Sequence, residues 1–279
     1  GKIAEKLVLG LESLGSKIRY KANVTEIIID KDKAVGVKLS NGERIYSKKI
    51  VSNSTRWDTF GLHKMQKGLV KKEYVPKNEF NWAKKYKPSP SFVSLHLGIE
   101  KKAINDNFNC HHIILDDWDD LENEKGVIFV SIPTMLDSTL APEGKHIVHA
   151  FTPSSIEEWE NLSRSDYLKK KEEYFEFILK KVSKILPDIT DNIDHKEIGT
   201  PRTHKKFLGR FEGSYGPIPN HKLLGLLPMP FNTTKIKNLY CVGDSCFPGQ
   251  GLNAVAFSGY ACAHKIGAKL NINAPKLPS

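Results

Sequence analysis

The segment Asn238–Leu270 constrains this chain more than any other. It opens with a short apolar run, Leu239–Val242, which reads as a buried strand. Gly243-Asp244 follows, then a loop with glycines at 249 and 251, then a helix of small residues. A strand running through a tight turn into a helix N-terminus brings backbone N–H groups and the positive end of a helix dipole to one place. Glycines there let the backbone approach a ligand closely. A carboxylate at the strand's end, Asp244, is placed to hold a sugar or ribityl hydroxyl. The expected ligand is polar and electron-rich.

The pattern Gly249-x-Gly251-x-x-Ala254 is superficially a dinucleotide fingerprint. That fingerprint requires a second strand after the helix, with an acidic residue roughly 20 positions on. Here Asn273–Ser279, Asn-Ala-Pro-Lys-Leu-Pro-Ser, carries no such strand. The unit therefore reads as the last strand and helix of a sheet that begins elsewhere, not as a pyrophosphate loop.

With 279 residues, 39% hydrophobic and 27% charged, the chain has the composition of a soluble globular protein with one large domain or two. No run of about 20 apolar residues offers a transmembrane helix. The net charge of +10 is scattered and mostly lysine. It suits a lysine-coated surface or an anionic membrane face. Arginines interleaved with aromatics on one face are missing, so nucleic acid is not an expected partner. Cys110, Cys241, Cys246 and Cys262 form no CxxC pair and no zinc spacing, and read as small buried side chains in a reducing compartment. The first residue is Gly1 and an amphipathic helix is already under way at Ile3, Leu7, Leu11 and Leu14. The chain thus reads as truncated, and it carries no information about a leader.

Residues 1–14 are predicted helical, ended by Gly15. Ile18–Ala22 and Val24–Ile29 read as strands, Asp30–Lys33 as a turn, and Ala34–Leu39 as the return strand. Asn41-Gly42 signals a hairpin into Arg44–Ser47, and Lys49–Ser52 is a further strand. Composition turns lysine-rich and irregular after this, which places a domain boundary near residue 58. Phe92–Ile99, His111–Leu115, Val127–Pro133 and His146–Thr152 alternate like the strands of an antiparallel sheet. Ser163–Leu186 is predicted as a long helix, its Tyr167, Tyr174, Phe175, Ile178, Val182 and Ile185 stripe packing on that sheet and Pro187 stopping it.

Few residues outside the terminal unit suggest chemistry. Cys110-His111-His112 followed by Asp116, Asp117, Asp119 and Asp120 invites a metal reading. Adjacent histidines on a strand point to opposite faces, so no metal site is expected. Gly199–Arg210 is read as a solvated basic loop that lies near a cleft, with Arg202, His204 and Arg210 as weak candidates. Spacing supports no Ser/His/Asp or Cys/His catalytic set, so the catalytic residues stay unassigned.

The segments YKANVTEI, AVGVKLSNG, SNSTRWDTFG, NCHHIILDDW, FVSIPTMLDSTLAPEGKHIVHAFTPSSIEEWE, GTPRTHKKFLGR, YGPIP, MPFNTT and LYCVGDSCFPGQG closely resemble those of the carotenoid isomerases, flavoproteins that convert poly-cis-lycopene to the all-trans form. The resemblance runs nearly end to end. Only the Val24 region and Gly243-Asp244 are shared with the wider flavin amine oxidase and phytoene desaturase superfamily.

The resemblance implies a mixed α/β fold. Residues 1–58 and 232–279 would form the later, discontinuous portion of a glutathione-reductase-like FAD-binding domain. Residues 59–231 would form a substrate domain with an antiparallel sheet and flanking helices. It implies FAD contacts at Val24 for adenine, at Gly243 and Asp244 for the ribityl and phosphate region, and at Gly249, Gln250, Gly251, Asn253, Ala254 and Val255 around the flavin ring. Leu252-Asn253 departs from the family's usual apolar β-branched residues, and the N-terminal GxGxxG unit is absent. Binding of FAD is therefore expected of a full-length protein, and the chain alone is expected to be inactive. Reduced FAD, with NAD(P)H as upstream reductant, a carotenoid substrate, peripheral membrane attachment and a plastid or cyanobacterial home complete what the resemblance implies. A carotenoid desaturase or retinol-saturase-like enzyme with net redox, and a non-enzymatic lipid-binding or interaction fragment, remain alternatives. The sequence is silent on oligomeric state.

Overall fold

The computed structural model describes residues 1–63, 66–121, 123–220 and 229–272. The expected absence of a strand over Asn273–Ser279 lies outside these residues. Contacts divide the chain into two compact units, one of residues 1–83, 230–247 and 256–279, the other of 84–229 and 248–255.

The first unit opens with α1 (Lys2–Ser13), which buries none of its residues, and Gly15 follows in the left-handed region at φ 79°. The expected strand over Ile18–Ala22 does not form. Lys21 adopts φ 55°, which breaks the pleat, and Tyr20 is left exposed. Strands β1 (Val24–Asp30), β2 (Lys33–Leu39) and β3 (Arg44–Tyr46) make an antiparallel meander. Its first turn puts Lys31 and Asp32 at φ 44° and 73°, the positive-φ pair that matches the twist of a two-residue hairpin. β4 (Ile50–Ser52) follows, then α2 (Arg56–Phe60), capped by Thr55 Oγ1, which accepts the Asp58 N–H at 3.1 Å. Helix α3 (Lys77–Ala83) returns to it, and Trp57 packs on Trp82 with ring centroids 4.8 Å apart. Residues 59–83, read from composition as the start of the substrate domain, pack with this first unit. Phe60 and Val70 join its core, and the Ile27 N–H donates to the Leu69 carbonyl at 2.7 Å.

In the second unit β5 (Tyr86–Pro88) leads into β6 (Ser91–Glu100), β7 (His111–Leu115), β8 (Val127–Ser131) and β9 (Lys145–Ser154), followed by α4 (Arg164–Val182) and β10 (Ile193–Gly199). The sheet order is β10-β6-β9-β8-β7, antiparallel throughout. The four strands expected from alternation are there. The fifth, β10, was missed because the exposed run Asp194–Glu197 hides its strand character. One sheet face carries Val93, Leu95, Leu97, Ile128, Val130, Val148 and Ala150 into a core shared with Tyr174, Phe175, Ile178, Leu179 and Val182 of α4. Burying each of the larger aliphatic side chains is worth about 1.5–3 kcal/mol, which is what holds the helix to the sheet.

Gly199–Arg210, expected as a loop, contains helix α5 (Pro201–Leu208). Its signals are local: Thr200 and Thr203 form a capping box, Pro201 stands at the first turn and Gly209 closes the helix at φ 59°. Strand β11 (Pro217–Pro219) pairs with β5. Strand β12 (Leu239–Cys241) then pairs with β4 in parallel, Leu239 opposite Ile50 and Cys241 opposite Ser52, and α6 (Leu252–Lys269) follows. The mixed α/β fold matches the expectation.

Candidate functional site

Parallel pairing sends β4 and β12 in one direction, so their carboxyl ends lie side by side. In open α/β sheets ligands bind beyond such ends. Two polar groups meet there. The Val242 N–H donates to the Ser52 carbonyl at 2.9 Å. At the next position Gly243 turns the chain at φ 94°, and a Cβ built on it would stand 2.6 Å from Asn53 Oδ1. The left-handed backbone favours glycine here, and any side chain would also have to displace the neighbouring amide. The turn closes as the Cys246 N–H donates to the Gly243 carbonyl at 3.1 Å. Asp244, Ser245 and Cys246 are buried within it, and Ser245 Oγ donates to Asp244 Oδ1 at 3.3 Å.

A buried amide fixes the bend. Asn232 Nδ2 donates to the Cys241 carbonyl at 3.0 Å, and to the carbonyl and Oγ of Ser258 on α6 at 3.2 and 3.1 Å. Ser258 Oγ in turn accepts the Gly243 N–H at 3.2 Å. Strand, bend and helix thus share one polar clamp. Sequence reasoning did not pick out Asn53, Asn232 or Ser258, because partners 9 positions apart or more leave no local pattern. Burial pushes the Cys246 thiol up to about 11 and raises Cys241 as well. Both stay neutral packing groups and supply no nucleophile.

Beyond the bend, the loop of Gly249, Gln250 and Gly251 clusters with the second unit. Gly249 and Gly251 have φ 116° and 100°, and a Cβ on Gly251 would meet none of the described residues within 4 Å. Gln250 Nε2 approaches the Pro217 carbonyl at 3.5 Å. Asn253 is exposed, and Ala254 and Val255 are half-buried in the first turn of α6.

Val24 begins β1 in the first unit, paired with Leu39. Strand β1 and the bend share one core, in which Ile27 and Ala34 pack with Leu239, Cys241 and Cys246, and the Ala34 N–H donates to the Lys237 carbonyl at 2.8 Å. Next to Val24, Thr25 and Glu26 line a cleft of about 290 Å³ whose wall includes Gly61, Gln66 and Gly68.

The weak candidates of the basic segment sit in the second unit. Arg202 lies over the Tyr167 ring at 4.7 Å, and Arg210 Nε donates to the Ser214 carbonyl at 2.5 Å. Both read as structural. His204 Nδ1 is 3.3 Å from the Tyr215 hydroxyl, while its buried Nε2 has no hydrogen-bond partner among the described residues. Burial lowers its pKa, with His96 adding to the effect. His149, stacked on His96 at 4.5 Å, is pushed down to about 4 by burial first and by His96 and His204 after it. His111 and His112 have separate partners, Ser131 Oγ at 2.9 Å and the Asn109 carbonyl at 2.8 Å.

No family model matches the chain. It is 53% identical over 274 residues to "Prolycopene isomerase, chloroplastic" of Daucus carota, covering 98% of this chain and 44% of that protein. It is 52% identical to the protein of the same name from Arabidopsis thaliana, with 98% and 45% covered. The chain is a homologue of the prolycopene isomerases. It spans somewhat less than half the length of these relatives. Among solved structures it is similar to an oxidoreductase from Methanosarcina mazei, at a TM-score of 0.62 and 17% identity, over 94% of this chain and 53% of that one. That likeness places this prolycopene isomerase homologue in the same fold.

Proposed function

We propose that the protein is a carotenoid cis–trans isomerase, converting poly-cis-lycopene to all-trans-lycopene with reduced FAD and without net redox. The observation that carries this is the 53% identity, sustained over 98% of the chain, to a protein named as a prolycopene isomerase. The site geometry fits a flavin nucleotide. Two parallel strands end at a glycine bend with left-handed backbone, a buried carboxylate follows, and a loop with positive-φ glycines at 249 and 251 leads into the helix.

In this reading Val24 meets the adenine end, Gly243 and Asp244 hold the ribityl and phosphate region, and Gly249, Gln250, Gly251, Asn253, Ala254 and Val255 border the ring. When bound in its reduced form, FAD supplies the electron density or proton that lets a polyene double bond lose bond order and rotate. The chain's own part is positional. Asn232 and Ser258 keep the bend rigid, the N-terminal dipole of α6 favours negative charge nearby, and the buried neutral thiols keep the region dry. NAD(P)H is the upstream reductant. The five-stranded sheet of the second unit carries the substrate.

Carotenoids partition into membranes, so the protein attaches peripherally, in a plastid as the names of its relatives have it. Among the described residues no helix is long and apolar enough to cross a bilayer. The end of α5 suits attachment: Phe207 is 76% exposed and Leu208 53%, flanked by Lys205 and Lys206. The test is to incubate full-length protein, photoreduced under anaerobic conditions, with poly-cis-lycopene in liposomes and to resolve the products. All-trans-lycopene of unchanged mass is expected. A product differing by hydrogens makes it a desaturase or saturase instead, and no turnover refutes the enzyme reading.

A further inference from the structure

The second face of the five-stranded sheet, opposite the core under α4, carries a continuous run of rings. Strand alternation puts Phe92 and His96 of β6 on this face, with His149 and Phe151 of β9 and Phe129 of β8. His96 stacks on His149 at 4.5 Å and 16°, and His149 leans on Phe151 at 5.5 Å. Phe151 stacks on Phe129 at 5.0 Å and 17° and meets Phe92 edge-on, also at 5.0 Å. Phe92 continues to Tyr215 at 4.7 Å, and Tyr215 to His204. Six of these rings are half-buried and the His96 ring is exposed, whereas Val93, Leu95, Leu97, Ile128, Val130, Val148 and Ala150 on the other face are closed off. A sheet face that only had to meet water would alternate to lysine, glutamate or threonine. This one spends its outward positions on aromatic rings.

The charge pattern narrows what such a surface fits. Its titratable rings are the imidazoles and the Tyr215 phenol, and burial favours the uncharged form of His149, His204 and Tyr215 at neutral pH. Among the described residues, Glu197 pairs across from His96 on β10, Glu100 and Lys145 pair at the far end of the same face, and Arg210 stands 5.8 Å from the Tyr215 ring. A flat, uncharged, conjugated ligand matches a platform of this kind, since ring pairs favour offset or edge-on contact with other π systems.

We infer that this aromatic face, centred on His149 and Phe151, is a contact surface for a long conjugated hydrocarbon. The inference rests on the carotenoid reading and adds to it the residues that touch the polyene. His149 and Phe151 bind and orient; no proton transfer is assigned to either.

The test titrates poly-cis-lycopene in detergent micelles into full-length flavoprotein and follows the induced circular dichroism of the polyene band. His149→Leu and Phe151→Leu keep apolar volume and remove the π plane. About fivefold or greater weakening is expected for each, with bound flavin unchanged. Wild-type affinity in both variants overturns the inference. Since a variant can misfold, the wild-type protein is also footprinted with diethyl pyrocarbonate. The polyene should protect His96 and His149 from modification, and unchanged modification of both overturns the inference as well. If wild-type protein isomerises the polyene while variants and footprint are unaffected, only this surface is wrong. If it neither binds nor isomerises, the carotenoid reading falls with it.

Discussion

Replacing Gly243 by alanine tests the bend on which the cofactor reading depends. An L-residue at φ 94° bears a left-handed penalty of about 1–2 kcal/mol. Its Cβ would lie 2.6 Å from Asn53 Oδ1, and moving that amide off its preferred rotamer costs about 0.5–1.5 kcal/mol more. Alanine also restricts the unfolded chain, which offsets about 0.4–1 kcal/mol. The net expectation is a loss of about 1–3 kcal/mol, or about 3–9 °C in melting temperature for a domain of this size. The assay is urea unfolding of full-length protein followed by far-ultraviolet circular dichroism, run for G243A, N53A and the double variant. The amide clash belongs to the pair and the backbone strain to Gly243 alone. N53A should therefore rescue about 1 kcal/mol of the G243A loss and leave the remainder. Full additivity, within about 0.3–0.5 kcal/mol, would show that Asn53 does not press on the bend. An unperturbed G243A would refute the geometry altogether.

Other outcomes follow from the same structure. N232A leaves the Cys241 carbonyl and Ser258 without their buried donor and should cost about 2 kcal/mol by thermal melting; a neutral result would dissolve the polar clamp. Arg56 and Glu79, both almost fully buried, pair at 3.3 Å, so E79Q should cost about 3 kcal/mol by stranding the guanidinium, and R56M/E79M should cost less than E79Q. His149 has a folded pKa of about 4 against an ordinary 6.5. Its contribution is therefore whole above 6.5 and is lost as pH falls from there towards 4. Discounted for partial exposure, acid should cost wild type about 1–2 kcal/mol more than H149L across that window; parallel pH–stability curves would remove the burial argument. Phe207→Glu should leave the melting temperature unchanged and lower flotation with anionic liposomes about tenfold; unaltered flotation would move the membrane contact away from α5.

The elements read best from sequence were those whose signal is confined to their own residues. The alternation of Phe92–Ile99 and His146–Thr152 gave β6 and β9, Asn41-Gly42 gave the hairpin into β3, and the apolar run at Leu239 gave β12. The helix α5 carried equally local signals in Thr200, Pro201 and Gly209, but its lysines drew attention to charge instead. Strand β10 lies at the sheet edge and exposes most of its side chains, so no burial pattern marked it.

Sequence alone determined that Gly243-Asp244 is a bend between a strand and a helix, because turn propensity and hydrophobic period are properties of neighbouring residues. Tertiary structure decided what surrounds that bend. Asn53, Asn232 and Ser258 reach it through parallel pairing and the packing of α6, and the rings of Phe92, Phe129, Phe151 and Tyr215 meet only once three strands and a loop are assembled. Contacts across such separations depend on strand order and register, which are settled by burying the whole core at once and leave no imprint on any short stretch of chain.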